Sequence, residues 1–298
     1  MRYASLTSLL LFCAVHAYAA VDLKANETPL NTPADPKAIA LLPADYRLAH
    51  AGQLTVAVSA QNSPPLSLVA SDNRTRIGSD IDIARLLAQS LGLTLTVVPV
   101  SWEEWPLGLK SGRYDVALVN IAVTEARKQK YDFATYRTDS LAFSVKHDNS
   151  IKHIATAKDI AGQRVIVGSG TNQERILLDW NTQLQQQHLP PAIPIYLTDD
   201  ATTTLFLQSG RADITFGPQA AAAWKAALNG RSKVVGYSPY KAWVATTTLK
   251  GNGLVKALNQ ALNDAIASGH YQKILSRWGE AQEGVTSSQI NPPGITYR

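Results

Sequence analysis

Apolar residues change their period several times along this chain. Leu54 to Ser59 alternates in the period of two that marks a strand. From Ile81 to Leu91 the spacing of Ile83, Ala84, Leu87, Ala88 and Leu91 instead puts them on one face of a helix that Gly92 can close. Leu93, Leu95 and Val97 alternate again as a second strand. Ser101 and Glu104 match a capping box for the next helix, with Pro106 leaving its first residue open. Val116 to Val119 is a short apolar strand, so the order is β-α-β-α-β, the mark of an open, mostly parallel sheet. Near the end, Leu254, Val255, Leu258, Ala261, Leu262, Ala265 and Ile266 form a helical stripe closed by Gly269, which Tyr271, Ile274, Leu275 and Trp278 continue.

One pattern occurs twice. Leu109-Lys110-Ser111-Gly112-Arg113-Tyr114-Asp115 returns as Leu207-Gln208-Ser209-Gly210-Arg211-Ala212-Asp213, matching at five of seven places. In each copy a helix would stop at a glycine able to take positive φ, and a strand would follow. The strand Thr55 to Ser59 before the first copy has its counterpart in Val165 to Ser169 before the second. Two similar α/β units in series predict two lobes, with a crevice at the carboxyl ends of their strands.

The segment ahead of this pattern is different. Arg2, the apolar run around Leu9 to Val15 and Ala17-Tyr18-Ala19 read as a signal peptide over residues 1–19, too short to span a bilayer permanently. Cys13 follows Leu10-Leu11-Phe12, which is no lipoprotein signal, so an exported, soluble mature protein is expected. Residues 20–53 are polar and interrupted by Pro29, Pro33, Pro36 and Pro43, and read as an arm or strap with at most a short helix after Asp35-Pro36. The only cysteine and the only methionine lie within residues 1–19, so the mature chain would need core burial in place of disulfides.

Composition narrows the function. The 298 residues are 45% hydrophobic and 17% charged, an ordinary globular balance. A net charge of +5 with no run of five basic residues gives weak support for a nucleic-acid binder. The histidines lack metal-ligand spacing, which leaves no expected metal or other cofactor. Ser238-Pro239-Tyr240-Lys241 and Ser71-Asp72-Asn73 match penicillin-enzyme elements, but in reversed order and without K-T-G. Arg127 stands just beyond the Val116 to Val119 strand, where Thr124 can cap a short helix. There a guanidinium can grip a carboxylate, or it can be an ordinary surface arginine. Gly168-Ser169-Gly170-Thr171-Asn172 is a glycine-rich turn that exposes amides to an anion without matching a nucleotide motif.

From Leu54 to about Glu280 the chain resembles the family 3 extracellular solute-binding proteins, the polar-amino-acid receptors of ABC importers. The landmarks are Pro64-Pro65-Leu66, Gly78 to Ala84, Leu109 to Asp115, Thr124-Glu125-Ala126-Arg127, Asp132-Phe133, Gly170-Thr171, and Gly269 to Ile274 ahead of Trp278-Gly279. The resemblance implies the type II periplasmic-binding-protein fold, α/β with two lobes, each an open mostly parallel sheet flanked by helices. Lobe 1 would comprise residues 54–137 and 240–298, lobe 2 residues 142–237, with a hinge at 138–141 and 238–239. It further implies that Arg127 binds a ligand carboxylate, aided by the N–H of Ala122 and by Thr171 or Asn172, with Asn120 at the ligand's polar end. Ser63 and Leu66 fall where the family often has aromatic residues, and Trp102 at another wall of the pocket.

One departure bears on the ligand. Where the family usually presents an aspartate for an α-ammonium, this chain has Pro218, followed by Gln219. Either Glu174, Gln219 or another group replaces it, or the solute is not a standard α-amino acid. The expected function is a monomeric periplasmic receptor that hands a small carboxylate-bearing solute to an ABC permease, with no nucleic-acid partner and no catalysis. The alternatives are a ligand sensor for a signalling partner, or an enzyme similar to cyclohexadienyl dehydratase. That enzyme carries a glutamate directly after G-T-N, where this chain has Gln173.

Overall fold

The computed structural model describes residues 21–296, and the expected signal peptide lies outside them. Two short helices, α1 (Leu23–Asn26) and α2 (Pro36–Ala40), come first. They lead to β1 (Gln53–Ser59), the small pair β2 (Leu68–Val69) and β3 (Arg76–Ile77), α3 (Ser79–Ser90), β4 (Thr94–Val100), α4 (Trp105–Ser111), β5 (Val116–Leu118) and α5 (Glu125–Lys128). A long strand, β6 (Tyr131–Lys146), carries the chain into β7 (Arg164–Val167), α6 (Asn172–Gln186), β8 (Ile193–Tyr196), α7 (Asp200–Gln208), β9 (Ile214–Pro218) and α8 (Gln219–Asn229). A second long strand, β10 (Ser232–Leu249), returns it to α9 (Leu254–Ala267) and α10 (His270–Arg277).

The strand order is β4-β1-β5-β10-β6-β9-β7-β8. β4, β1 and β5 are parallel to one another, as are β8, β7 and β9. The long strands between them run antiparallel to each other and to their outer neighbours. At roughly 3.3 Å per residue, the 16 residues of β6 reach about 50 Å, enough to serve both lobes. Its first part pairs with the end of β10 that meets β5, and its last part, Leu141 to Val145, pairs with β9. The β6–β10 ladder is interrupted between Tyr237 and Lys241, which face Ala142 and Ser140.

Each lobe has its own core. In the first, Leu54, Val56 and Val58 of β1 pack with α3 and with the α9 stripe of Leu254, Leu258, Ala261 and Leu262, while the intervening Ala57 joins Trp105, Tyr114 and Phe133. The alternation read from the sequence therefore feeds two faces of one sheet. The second core gathers buried residues from Leu141 to Val235, among them Trp180 and Phe216 stacked on either side of Phe143.

The repeated motif does the same work in both lobes. Gly112 and Gly210 each have φ +71°, the left-handed conformation that lets the helix stop. Three residues later, the carboxylates of Asp115 and Asp213 accept from the N–H of Thr55 (2.9 Å) and Arg164 (2.8 Å), near the start of each lobe's first strand. The amides of both aspartates bond back to the carbonyls of those residues.

Residues 21–53 form a strap on the first lobe. α1 and α2 are capped by Asp22 and Asp35. Asn26 Nδ2 donates to the Arg277 carbonyl (2.8 Å), and Tyr46 Oη and the Ala49 N–H both donate to Asp115 Oδ1 (2.9 Å each). The segment after α10 is a second strap. Gln289 and Asn291 bond to Thr135 and Phe133 of β6, and Gly294 N–H donates to Glu125 Oε1 of α5 (2.7 Å). Among the described residues, no helix is long and apolar enough to cross a membrane, and no cluster of three or more His, Cys, Asp or Glu could hold a metal ion.

Candidate functional site: a cleft between the lobes

A cleft of about 430 Å³ opens at the carboxyl ends of the parallel strands, where open α/β sheets place ligands. Ser63, Leu66, Trp102, Asn120, Ala122 and Arg127 line it from the first lobe, and Thr171, Asn172 and Pro218 from the second. Gln219 does not line it; this residue begins α8, and its backbone N–H lies toward Asp139.

Arg127 is set by local structure. Thr124 Oγ1 accepts the Arg127 N–H (3.1 Å) and caps the single turn of α5. The guanidinium donates through Nη1 to the Ala122 carbonyl (2.9 Å) and through Nη2 to the Gly170 carbonyl of the opposite lobe (3.3 Å). It also lies over the Trp102 ring, 5.2 Å from the centroid. Ala122 faces Val244 as a wide antiparallel pair, flanked by the bonds Val123 N–H to Trp243 and Ala245 N–H to Ile121. In such a pair the residue's own N–H and C=O turn away from the partner strand. The Ala122 N–H is therefore presented on the edge where its carbonyl meets Arg127.

Across the cleft is the N-terminus of α6, a 15-residue helix. Thr171 Oγ1 accepts from Glu174 N–H (3.2 Å) and donates to the Gly168 carbonyl (2.6 Å), which fixes the loop. The amides of the helix's first turn lack the backbone acceptor four residues earlier that later turns have, and add to the positive end of its dipole. A guanidinium, an isolated backbone N–H and a helix N-terminus thus converge on a place suited to an anion. Glu174 is not part of it. Its carboxylate accepts the Gly170 N–H (2.6 Å) and bonds the Tyr196 hydroxyl, whose pKa it raises.

The floor of the cleft holds acidic groups absent from the site expected on sequence: Asp80 and Asp139. Asp139 lies on β6 and is only 6% exposed. Its Oδ2 accepts from Asn120 Nδ2 (3.0 Å), and Asn120 Oδ1 accepts from Arg137 Nη2 (2.5 Å). Both ends of the Asn120 amide are thus engaged with β6, so this residue, held at φ +56°, supports the floor as well as lining it. Arg137, fully buried, also donates to Glu283 Oε2 (2.5 Å), and Tyr136 Oη donates to Asp80 Oδ1 (2.6 Å). Burial raises Asp80 to about 6 and Glu280 and Glu283 to about 7, and it raises Asp139 as well, against the pull of the single Arg137 charge. Asp80 falls within the Gly78-Ser79-Asp80 landmark, which could have drawn attention to it. Asp139 follows Arg137-Thr138 in a stretch with no apolar period, and nothing local distinguishes it.

Residues 54–281 match the family of bacterial extracellular solute-binding proteins, family 3. The chain belongs to this family. It is 31% identical over 218 residues to the L-cystine-binding protein TcyJ of Escherichia coli (strain K12), covering 72% of this chain and 78% of that protein. Among solved structures, an ancestral arginine-binding protein bound to arginine matches with a TM-score of 0.69 and 26% identity, over 76% of this chain and 98% of that one. The ancestral amino acid-binding protein AncCDT-1, a precursor of cyclohexadienyl dehydratase, matches with a TM-score of 0.67 and 28% identity, over 76% and 95%. The two-lobed α/β fold described above is that of family 3 solute-binding proteins, and the cleft lies between its lobes.

Proposed function

We propose that the protein is an exported periplasmic receptor that captures a small, amino-acid-like carboxylate between its lobes and presents it to an ABC permease. The observation that supports this reading is that Arg127 lines the cleft and reaches from the Ala122 carbonyl to Gly170 of the other lobe, beside the N-terminus of α6. The cleft volume of about 430 Å³ suits a metabolite-sized ligand. In this reading residues 1–19 are the signal peptide, 54–137 with 240–298 and 142–237 are the lobes, and the working unit is a monomer. The interruption of the β6–β10 ladder between Tyr237 and Lys241 supports a hinge at 138–141 and 238–239. Arg127 bridges to Gly170 of the other lobe, so a carboxylate placed there would touch both lobes and favour the closed form by its extra contacts.

Binding without turnover is the preferred mode. A dehydratase would need a general acid in the cleft beside Gly170-Thr171-Asn172. Gln173 has no acidic proton, and Glu174 is committed to the Gly170 N–H. The test is a thermal-shift panel of amino acids, opines and organic acids on protein freed of carried-over solute. Stabilisation confined to carboxylate-bearing compounds is expected, while equal stabilisation by their amides or decarboxylated counterparts would overturn the assignment.

A further inference from the structure

The position that usually offers an acid to an α-ammonium holds Pro218, yet the cleft is not without a carboxylate. Asp139 lines it, is only 6% exposed, and has a side-chain bond at Oδ2, whereas its Oδ1 has no partner with hydrogen-bond geometry. The backbone amides of Gln219 and Ser140 lie near the carboxylate and favour its charge. Four buried carboxyls, Asp80, Asp139, Glu280 and Glu283, share the one guanidinium of Arg137. The two terminal nitrogens of Arg137 are directed at Glu283 and Asn120, not at Asp139. A buried carboxylate oxygen with no donor is costly until something supplies one.

Resting on the reading that Arg127 takes the solute's carboxylate, we infer that Asp139 takes a cationic ammonium of the same solute, so that the cleft is built for a zwitterion. The connecting geometry fits. Asp139 is anchored to Asn120, and Arg127 is anchored to the Ala122 carbonyl. Asn120 and Ala122 are two positions apart, so their Cα atoms lie at most about 7 Å from each other along an extended chain. The acid and the guanidinium are therefore both tied to one short turn of the cleft wall, and both line the same cleft. The acid has moved from the second lobe to the crossing strand, where the sequence gives no local sign of it.

The test is calorimetric titration of the solute-free full-length mature protein with L-cystine, L-arginine and L-glutamine. Each is paired with its counterpart lacking the α-amino group: 3,3′-dithiodipropionate, 5-guanidinopentanoate and glutaramate. At least one amino acid should bind about 30-fold or more tightly than its counterpart. Asp139→Asn should erase that preference and leave affinity for the counterpart within a few-fold, and Asp139→Ser gives the same reading if the Asn variant does not fold. Arg127→Ala should weaken both members of the pair. The inference is overturned if Asp139→Asn binds the amino acid as tightly as wild type, if it weakens both members equally, or if wild type does not distinguish them. An unchanged affinity in Arg127→Ala would overturn the carboxylate reading alone, and no binding by any of the six compounds would overturn both.

Discussion

Replacing Glu280 by Gln should stabilise the protein above neutral pH and change little near pH 4.5. Glu280 is 2% exposed, and neither carboxyl oxygen has a partner with full hydrogen-bond geometry, although the Ser79 hydroxyl lies nearby. Desolvation outweighs the rest and raises its pKa from 4.5 to about 7; Arg137 and the nearby Ser79 hydroxyl favour its charge, whereas Asp80 and Asp139 oppose it. That rise corresponds to about 3 kcal/mol. The folded chain holds this proton more tightly than the unfolded chain. The stabilising contribution is therefore fully present below pH 4.5 and is lost as pH rises through 7. Glu283 and Asp80 act in the same sense. Carboxyls held down by hydrogen bonds, such as Asp213 beside Arg164, act in the opposite sense, but equally in both proteins. Urea unfolding followed by tryptophan fluorescence at pH 5, 6, 7 and 8 measures the difference. Glu280→Gln should gain about 2 to 3 kcal/mol on wild type between pH 5 and 8. A difference independent of pH, or one that falls with pH, would refute the picture of a proton-holding buried cluster.

Three further substitutions probe the frame around the cleft. Asp115→Ala strands the Tyr46 hydroxyl and the Ala49 and Thr55 amides; it should cost about 3 kcal/mol or more in urea unfolding, and a loss under about 1 kcal/mol would contradict the strap's role. Gly78 has φ +137°, and a Cβ there would lie 2.2 Å from the Leu66 carbonyl oxygen. Gly78→Ala should therefore cost about 2 kcal/mol or more and displace the Ser63–Leu66 wall, read as a lower melting temperature together with weaker solute binding. Trp102→Ala removes the ring beneath Arg127 and should weaken binding several-fold, about 1 kcal/mol, at unchanged melting temperature; an unchanged affinity would remove Trp102 from the site.

Local pattern made much of this architecture legible. The α9 stripe and the β1 alternation report which side of an element is buried, and each lies within a single element. The repeated Ser-Gly-Arg turn announced two lobes because each copy must stop a helix and tie an aspartate to a first strand. The long strands gave weaker signals. β6 is buried on both faces along most of its length, so it has no period of two to read, and its split service to two lobes depends on partners up to about a hundred residues away. The acidic floor was hidden for a related reason. Arg137, Asp139, Asp80 and Glu283 are brought together from β6, the start of α3 and the segment after α10, and in sequence they look like ordinary solvated polar residues. The same holds for the C-terminal strap, whose ties to β6 and α5 are made by scattered Gln, Asn and Gly residues.

The central claim is that a solute carboxylate is held by Arg127 inside the cleft. Calorimetric titration of wild type and Arg127→Ala with the most stabilising acid from the thermal-shift panel tests it most directly. Loss of a buried charge pair costs about 3 kcal/mol or more, so affinity should fall at least about 100-fold while the variant's unfolding midpoint stays near wild type. Equal affinity in a folded Arg127→Ala protein would contradict the account.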